Sequence, residues 1–254
     1  MTTQETEATP AGDGFASFDP VVADVADVAA VSAAAPSLFA AAAEFWRVPL
    51  AGAHLSLRVK ELVLLAMHAS PTSLNTLAVE RHVRRARAAG ATDADILDVL
   101  VTIVGVANHA LYASVPVLES ELEAAGGIGM PTQDPGPGYE TAKQEFIEAR
   151  GFWNPDRDSI ARQLPEYFTA LTGISTVSWK DGPLSAKERE FMCIAVDCAV
   201  THNYEPGLRL HIRNALGHGA TRQEILEIFQ LAALTGLEGY LMGARALFGG
   251  DRRG

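Results

Sequence analysis

The chain has 254 residues, 48% of them hydrophobic, and a formal net charge of −11. That charge repels phosphate backbones and anionic membrane surfaces, so no nucleic-acid or membrane partner is expected. The most alanine-rich segment, residues 31–45, is broken by Ser32, Pro36, Ser37 and Glu44, and no transmembrane candidate is expected.

The first ten residues are polar and acidic and lack the basic region and apolar core of a secretory signal, which points to a cytoplasmic protein. Residues 1–18 are expected to be disordered, because few apolar side chains there offset the entropy of ordering. From Pro36 to Leu118 the sequence then recurs, without a gap, from Pro165 to Leu247 at a constant offset of 129 residues. Between His82 and Leu97, eight of sixteen positions are identical to their mates. The period is far longer than a solenoid repeat, and the expectation is two copies of one domain, each with its own core. Their bounds are 19–129 and 139–250, joined by a Pro/Gly-rich linker at 130–138.

Both copies read as helices throughout, and the fold class is all-α. In the first copy, a helix carrying Glu61 ends near Pro71 and the next carries His82. Gly90-Ala91-Thr92 is a tight turn in which the glycine takes the left-handed conformation. Ile96, Leu97, Val99, Leu100, Ile103 and Val104 follow helical spacing up to a break near Gly105, beyond which lies His109. In the second copy, Ser185 with Glu188 and Thr221 with Glu224 have capping-box spacing. Between them, the Glu190 helix ends near Val200, the His211 helix follows, and Gly219-Ala220-Thr221 repeats the turn. A second break falls near Gly236.

Glu61 and Glu190 each stand 21 positions before His82 and His211. Consecutive antiparallel helices can bring such residues together, and a carboxylate beside an imidazole fixes one tautomer and raises the ring's basicity. The alternative is a solvated glutamate and a satisfied core histidine. The run Thr201-His202-Asn203-Tyr204-Glu205-Pro206-Gly207 adds polar groups before His211, where the first copy has Asn75 in the place of Tyr204. Tyr204 shares a face with His211 if the helix extends back that far. Pro206 fits a helix first turn, placing Glu205 near the N-cap and His202 on the incoming loop.

The candidate catalytic residues are therefore His211, Glu190, Glu205, His202 and Tyr204. A second possible pocket comprises Glu61, His82, His109 and Asn75. Glu61, His82 and His109 have acceptable ligand chemistry but no short spacing such as His-x-x-x-His, and no metal is assigned to them. Arg85 shares the face of His82, whereas Arg84 and Arg213 point elsewhere. Cys193 and Cys198, five apart on one helix, diverge and are expected to be two buried thiols without a disulfide.

The runs Leu184-Ser185-Ala186-Lys187-Glu188-Arg189-Glu190-Phe191, Tyr204-Glu205, His211 and Gly219-Ala220-Thr221 resemble the carboxymuconolactone decarboxylase family, which includes the alkylhydroperoxidase D-like proteins. The same skeleton recurs in Leu55-Ser56, Glu61, His82 and Gly90-Ala91-Thr92. The resemblance implies two tandem alkylhydroperoxidase D-like helical domains and a homo-oligomer, a ring of three chains. The family's peroxidase branch carries Cys-x-x-Cys ending four residues before the histidine. Here those positions hold Asn75 and Ala78, and Tyr204 and Gly207, so thiol peroxidase chemistry is excluded. The decarboxylase branch implies a cofactor-free enzyme acting on a small carboxylate or lactone by decarboxylation or isomerisation. In it His211 would be the proton donor or base, Glu190 its orienter, and Glu205 or His202 a second proton-transfer group. The alternative is a non-catalytic, metal- or ligand-binding or assembly subunit of the same fold.

Overall fold

A computed structural model describes residues 15–126, 134–136 and 138–249, and every regular element among them is a helix. The chain forms two compact units. One contains the residues up to Leu55 and from Ala233 onward, and the other is Ser56–Ala232.

The first unit opens with α1 (Phe15–Ala23), α2 (Val28–Ala34) and α3 (Pro36–Ala51). Asp27 caps α2 by accepting from the Ala30 N–H at 2.7 Å. Helix α1 overlaps the end of the segment expected to be disordered, and its Phe18 is fully buried. Its ring lies 5.8 Å from Phe39 and 6.1 Å from Trp46. Burying such an aromatic side chain contributes roughly 1.5–3 kcal/mol toward the cost of ordering the helix. The rest of the expected disordered segment, and most of the linker at 130–138, lie outside the described residues.

The second unit runs through α4 (Leu57–Ala69), α5 (Thr76–Ala88), α6 (Asp93–Val104), a 3-10 turn at Gly105–Asn108 and α7 (His109–Ala124). It continues with α8 (Tyr139–Arg150), α9 (Asp156–Gln163), α10 (Pro165–Asp181), α11 (Ala186–Cys198), α12 (Glu205–Gly217) and α13 (Arg222–Ala233). A second 3-10 turn at Leu234–Gly236 leads into α14 (Leu237–Phe248) of the first unit, whose Tyr240 stacks on Phe18 at 6.5 Å.

The starts of α4, α5 and α6 and those of α11, α12 and α13 differ by the offset seen in the sequence, and both 3-10 turns fall at the expected breaks. The punctuation is as read. Ser185 with Glu188 and Thr221 with Glu224 form reciprocal caps, and Gly90 and Gly219 have φ of 95° and 82°. A further capping box joins Thr92 and Asp95.

Packing departs from the sequence expectation of one core per copy. Residues 62–66 of α4 and 191–196 of α11 are almost wholly buried. Helices apolar on every side must be covered on every side. Each lies against the helix that follows it, α5 or α12, and α4 and α11 also pack against one another. The two halves therefore share a core, and the unit boundaries fall at 55/56 and 232/233 rather than at the linker.

Hydropathy also differs from expectation. The continuous helical runs 93–124 and 222–248 are long and apolar enough to cross a membrane by length and composition. The breaks expected at Gly105 and Gly236 do not end the helical path, because 3-10 turns carry it through both. In the folded chain 44% and 50% of those apolar windows are buried against protein.

Candidate active site

Helix α11 delivers Glu190 and the antiparallel α12 delivers His211. His211 Nδ1 lies 2.5 Å from Glu190 Oε2, and both side chains are buried. Asn214 Nδ2 donates to the other Glu190 oxygen at 3.2 Å, and Arg150 Nη2 stands 3.9 Å from it. Burial pushes the Glu190 carboxyl upward, but His211 and Arg150 outweigh it and hold the group below its usual range, as a carboxylate. The ring proton of His211 is accordingly assigned to Nδ1, leaving Nε2 as its basic nitrogen.

The turn between these helices supplies a second cluster. Asn203 takes φ of 46°, and the Tyr204 N–H donates to the Asp197 carbonyl at 3.0 Å. Asp197 is wholly buried, and neither carboxylate oxygen has a hydrogen-bond partner. Its Oδ1 lies 3.4 Å from His109 Nδ1 and 3.5 Å from His202 Nε2, and those nitrogens are 3.0 Å apart. Its Oδ2 is 3.9 Å from His211 Nε2. Burial raises the Asp197 carboxyl to about 7, and burial with the neighbouring His211 and His202 lowers His109 to about 3. The Tyr204 ring covers His109 at a centroid distance of 4.0 Å. Gly207 makes this approach possible, since a Cβ there would lie 2.4 Å from Asp197 Oδ2 and 2.9 Å from His109 Cε1.

A cavity of about 320 Å³ opens beside both clusters, lined among others by His109, Tyr204, His211, Trp153, Arg150 and Arg157. Arg157 donates only to the neutral hydroxyls of Tyr112 (3.0 Å) and Thr172 (3.1 Å). Burial lowers its pKa, opposed by Tyr112. The Arg150 guanidinium lies 4.1 Å from the Trp179 ring centroid, and that of Arg157 lies 4.0 Å from that of Phe146. The Nε atoms of both arginines are buried without a partner. Both guanidiniums border the cavity, where their positive charge suits an acidic ligand.

Of the residues singled out from sequence, Glu190, His211, His202 and Tyr204 converge here. Tyr204 does so as the N-cap of α12, not from within it. Glu205 does not converge. It is the first residue of α12, six positions before His211 and about 120° around the helix, and it is exposed and paired with Arg209.

The second possible pocket is also divided. His82 Nδ1 lies 2.8 Å from Glu61 Oε2 and Arg85 donates to Glu61 Oε1 at 2.8 Å, but His82 is fully buried. Asn75 caps α5 by accepting from the Ala78 N–H at 3.2 Å. His109 joins His202 instead, so Glu61, His82 and His109 form no common ligand set. Cys193 is buried and Cys198 half-buried, and both are free thiols. Cys193 does border the cavity, but burial drives its pKa well up, and it is no thiolate.

Asp197, Arg150 and Arg157 were not singled out in the sequence. Asp197 carried a signal, as the one acidic residue in the otherwise apolar run 191–200. The arginines lie in 139–164, before the recurring segment, where no mate draws attention to them.

Residues 165–248 match the model of the carboxymuconolactone decarboxylase family. A crystal structure from Burkholderia xenovorans LB400, described as a "putative gamma-carboxymuconolactone decarboxylase subunit", is similar over nearly the whole chain. It superposes with a TM-score of 0.82 at 34% identity, covering 94% of this chain and 97% of that one. A search of curated proteins returns no match.

Proposed function

Because the chain belongs to the carboxymuconolactone decarboxylase family, we propose that it is an enzyme moving a proton at carbon in a small carboxylated or lactone-like substrate. The observation that carries this reading is the buried Glu190–His211 dyad bordering a cavity that also contains Arg150 and Arg157.

The guanidiniums of Arg150 and Arg157 hold the substrate's acid groups and remain beside the charge that develops. In a decarboxylation the bond to the carboxylate carbon breaks, CO2 leaves, and the electron pair spreads into the conjugated system as a dienolate. His211, protonated at Nε2, gives that proton to carbon and regains one from water. In an isomerisation the same nitrogen first removes the proton that it later returns. Glu190 stabilises the imidazolium and fixes its orientation without touching the substrate. A positioned acid–base group of this kind supplies about 10²–10⁴-fold in rate, and the fixed cations add electrostatic stabilisation. We also propose a ring of three chains, in keeping with the exposed apolar residues Leu97, Val117 and Leu118 on α6 and α7.

The test is CO2 release from 4-carboxymuconolactone by the wild type, His211→Ala and Glu190→Ala proteins, with circular dichroism establishing equal folding. Release that disappears in His211→Ala and is severely reduced in Glu190→Ala supports the reading. Equal release from His211→Ala and the wild type would overturn it.

A further inference from the structure

We propose that His109, His202 and Asp197 form a three-ligand site for a divalent first-row transition ion, zinc being the best match, with the remaining coordination position facing His211 and the cavity. This goes beyond the proton-transfer reading and departs from the expectation of a cofactor-free site.

The donor geometry carries the inference. His109 Nδ1, His202 Nε2 and Asp197 Oδ1 form a triangle with edges of 3.0, 3.4 and 3.5 Å. A tetrahedral ion with bonds of about 2.1 Å has donor–donor edges of about 3.4 Å, so the three atoms already outline one face of such a polyhedron. Two imidazole nitrogens and one carboxylate oxygen suit zinc and its neighbours, and calcium and magnesium prefer all-oxygen sets.

A second observation points the same way. Asp197 is wholly buried and neither of its oxygens accepts a hydrogen bond. A buried carboxylate without a donor is costly, and coordination to a cation is one way the cost is removed. The three donors come from separate places: the start of α7, the end of α11 and the turn before α12. His109 lies 93 positions from His202, so the full set forms no short metal motif in the sequence. Gly207, with no Cβ, leaves room for Asp197 and His109 to approach one another. His109 borders the cavity, so a substrate oxygen or water can reach an open coordination position.

The experiment uses the full chain, stripped with a chelator at neutral pH and titrated with zinc chloride, with bound metal measured by mass spectrometry and affinity by calorimetry. One zinc per chain is expected, with affinity lowered at least about tenfold in His202→Ala and Asp197→Asn and unchanged in His218→Ala, an exposed control. His202 lies on a turn and Asn is isosteric with Asp, so both variants should fold. Should either fail, cobalt substitution of the wild type decides. Intense visible absorption of a four- or five-coordinate nitrogen–oxygen site supports the proposal, and the pale spectrum of a hexaaqua ion overturns it. Absence of stoichiometric zinc, or equal affinity in His202→Ala, also overturns it. Metal content is read independently of turnover, so a protein that binds zinc but releases no CO2 would sink only the decarboxylase reading.

Discussion

Asp98 on α6 and Arg189 on α11 form a buried ion pair across the two halves, with Arg189 Nη2 2.6 Å from Asp98 Oδ2. The same oxygen accepts from the Leu184 N–H at 3.0 Å, and Gly182 permits the approach because a Cβ there would meet both charged groups at 2.4 Å. Removing one member strands the other charge away from water. Arg189→Met is expected to lower stability by about 3–5 kcal/mol, and the Asp98→Leu, Arg189→Met double variant to recover much of that loss. Urea unfolding of the three proteins measures this, and an additive double variant would show that the pair does not act as a unit.

Gly207 occupies the place of Ala78 in the first half, so a helix in this fold tolerates a methyl at that position in principle. In the second half that methyl would collide with Asp197, Tyr204 and His109. Gly207→Ala should therefore leave far-UV circular dichroism unchanged while lowering kcat about 10²-fold, the scale of an ångström-level misplacement. Full activity in this variant would remove Asp197 and His109 from the working site.

Leu74 and Asn203 stand at mate positions in the turns before α5 and α12, with φ of 45° and 46°. Asparagine accepts the left-handed region readily, whereas for leucine it costs roughly 1–2 kcal/mol. Leu74 is 67% exposed and loses little packing when shortened. Leu74→Asn should raise stability by about 0.5–1 kcal/mol, read as a rise in Tm, and an unchanged Tm would show that the turn carries no strain.

Arg58 clamps two helix starts, reaching Asp95 at 2.6 Å and Glu188 at 2.7 Å. Burial raises both carboxyls, but the cap hydrogen bonds and Arg58 outweigh it and hold them below their usual range. A depressed folded pKa gives stability that is fully present above the unfolded value, near 4, and lost as pH falls through the folded one. The stability advantage of wild type over Arg58→Met should therefore be largest near neutral pH and vanish in acid. A difference independent of pH would assign the effect of Arg58 to packing.

The proposed role of Arg150 and Arg157 in holding an acidic substrate has its own test. Arg157→Met should raise KM for an acidic substrate by about tenfold or more while His211 keeps its bond to Glu190, since charge-assisted hydrogen bonds are worth roughly 1.5–3 kcal/mol. Unchanged KM in both Arg150→Met and Arg157→Met would move substrate binding away from this cavity.

Much of this architecture was legible because it is local. Capping boxes, glycine turns and the spacing between Glu190 and His211 depend on neighbours one turn or one helix away. What was hidden depends on contacts that no period encodes. His109 meets His202 across 93 positions, and Arg150 reaches Glu190 from a helix outside the recurring segment. Glu205 misled because a polar residue beside a site motif was weighed by type, whereas its angle around α12 decided its direction. The mutual burial of α4 and α11 was missed for a related reason: apolar residues on all sides of a helix announce burial without naming the partner.

The delivery of His109 by one half into the cavity of the other makes the two halves interdependent. A shortened gene encoding only residues 139–250 would retain Glu190 and His211 yet lose His109, Asp98 and the cover that α4 gives to α11. Changes in the earlier half should therefore be felt at the later half's cavity wherever they fall at His109 or along α4.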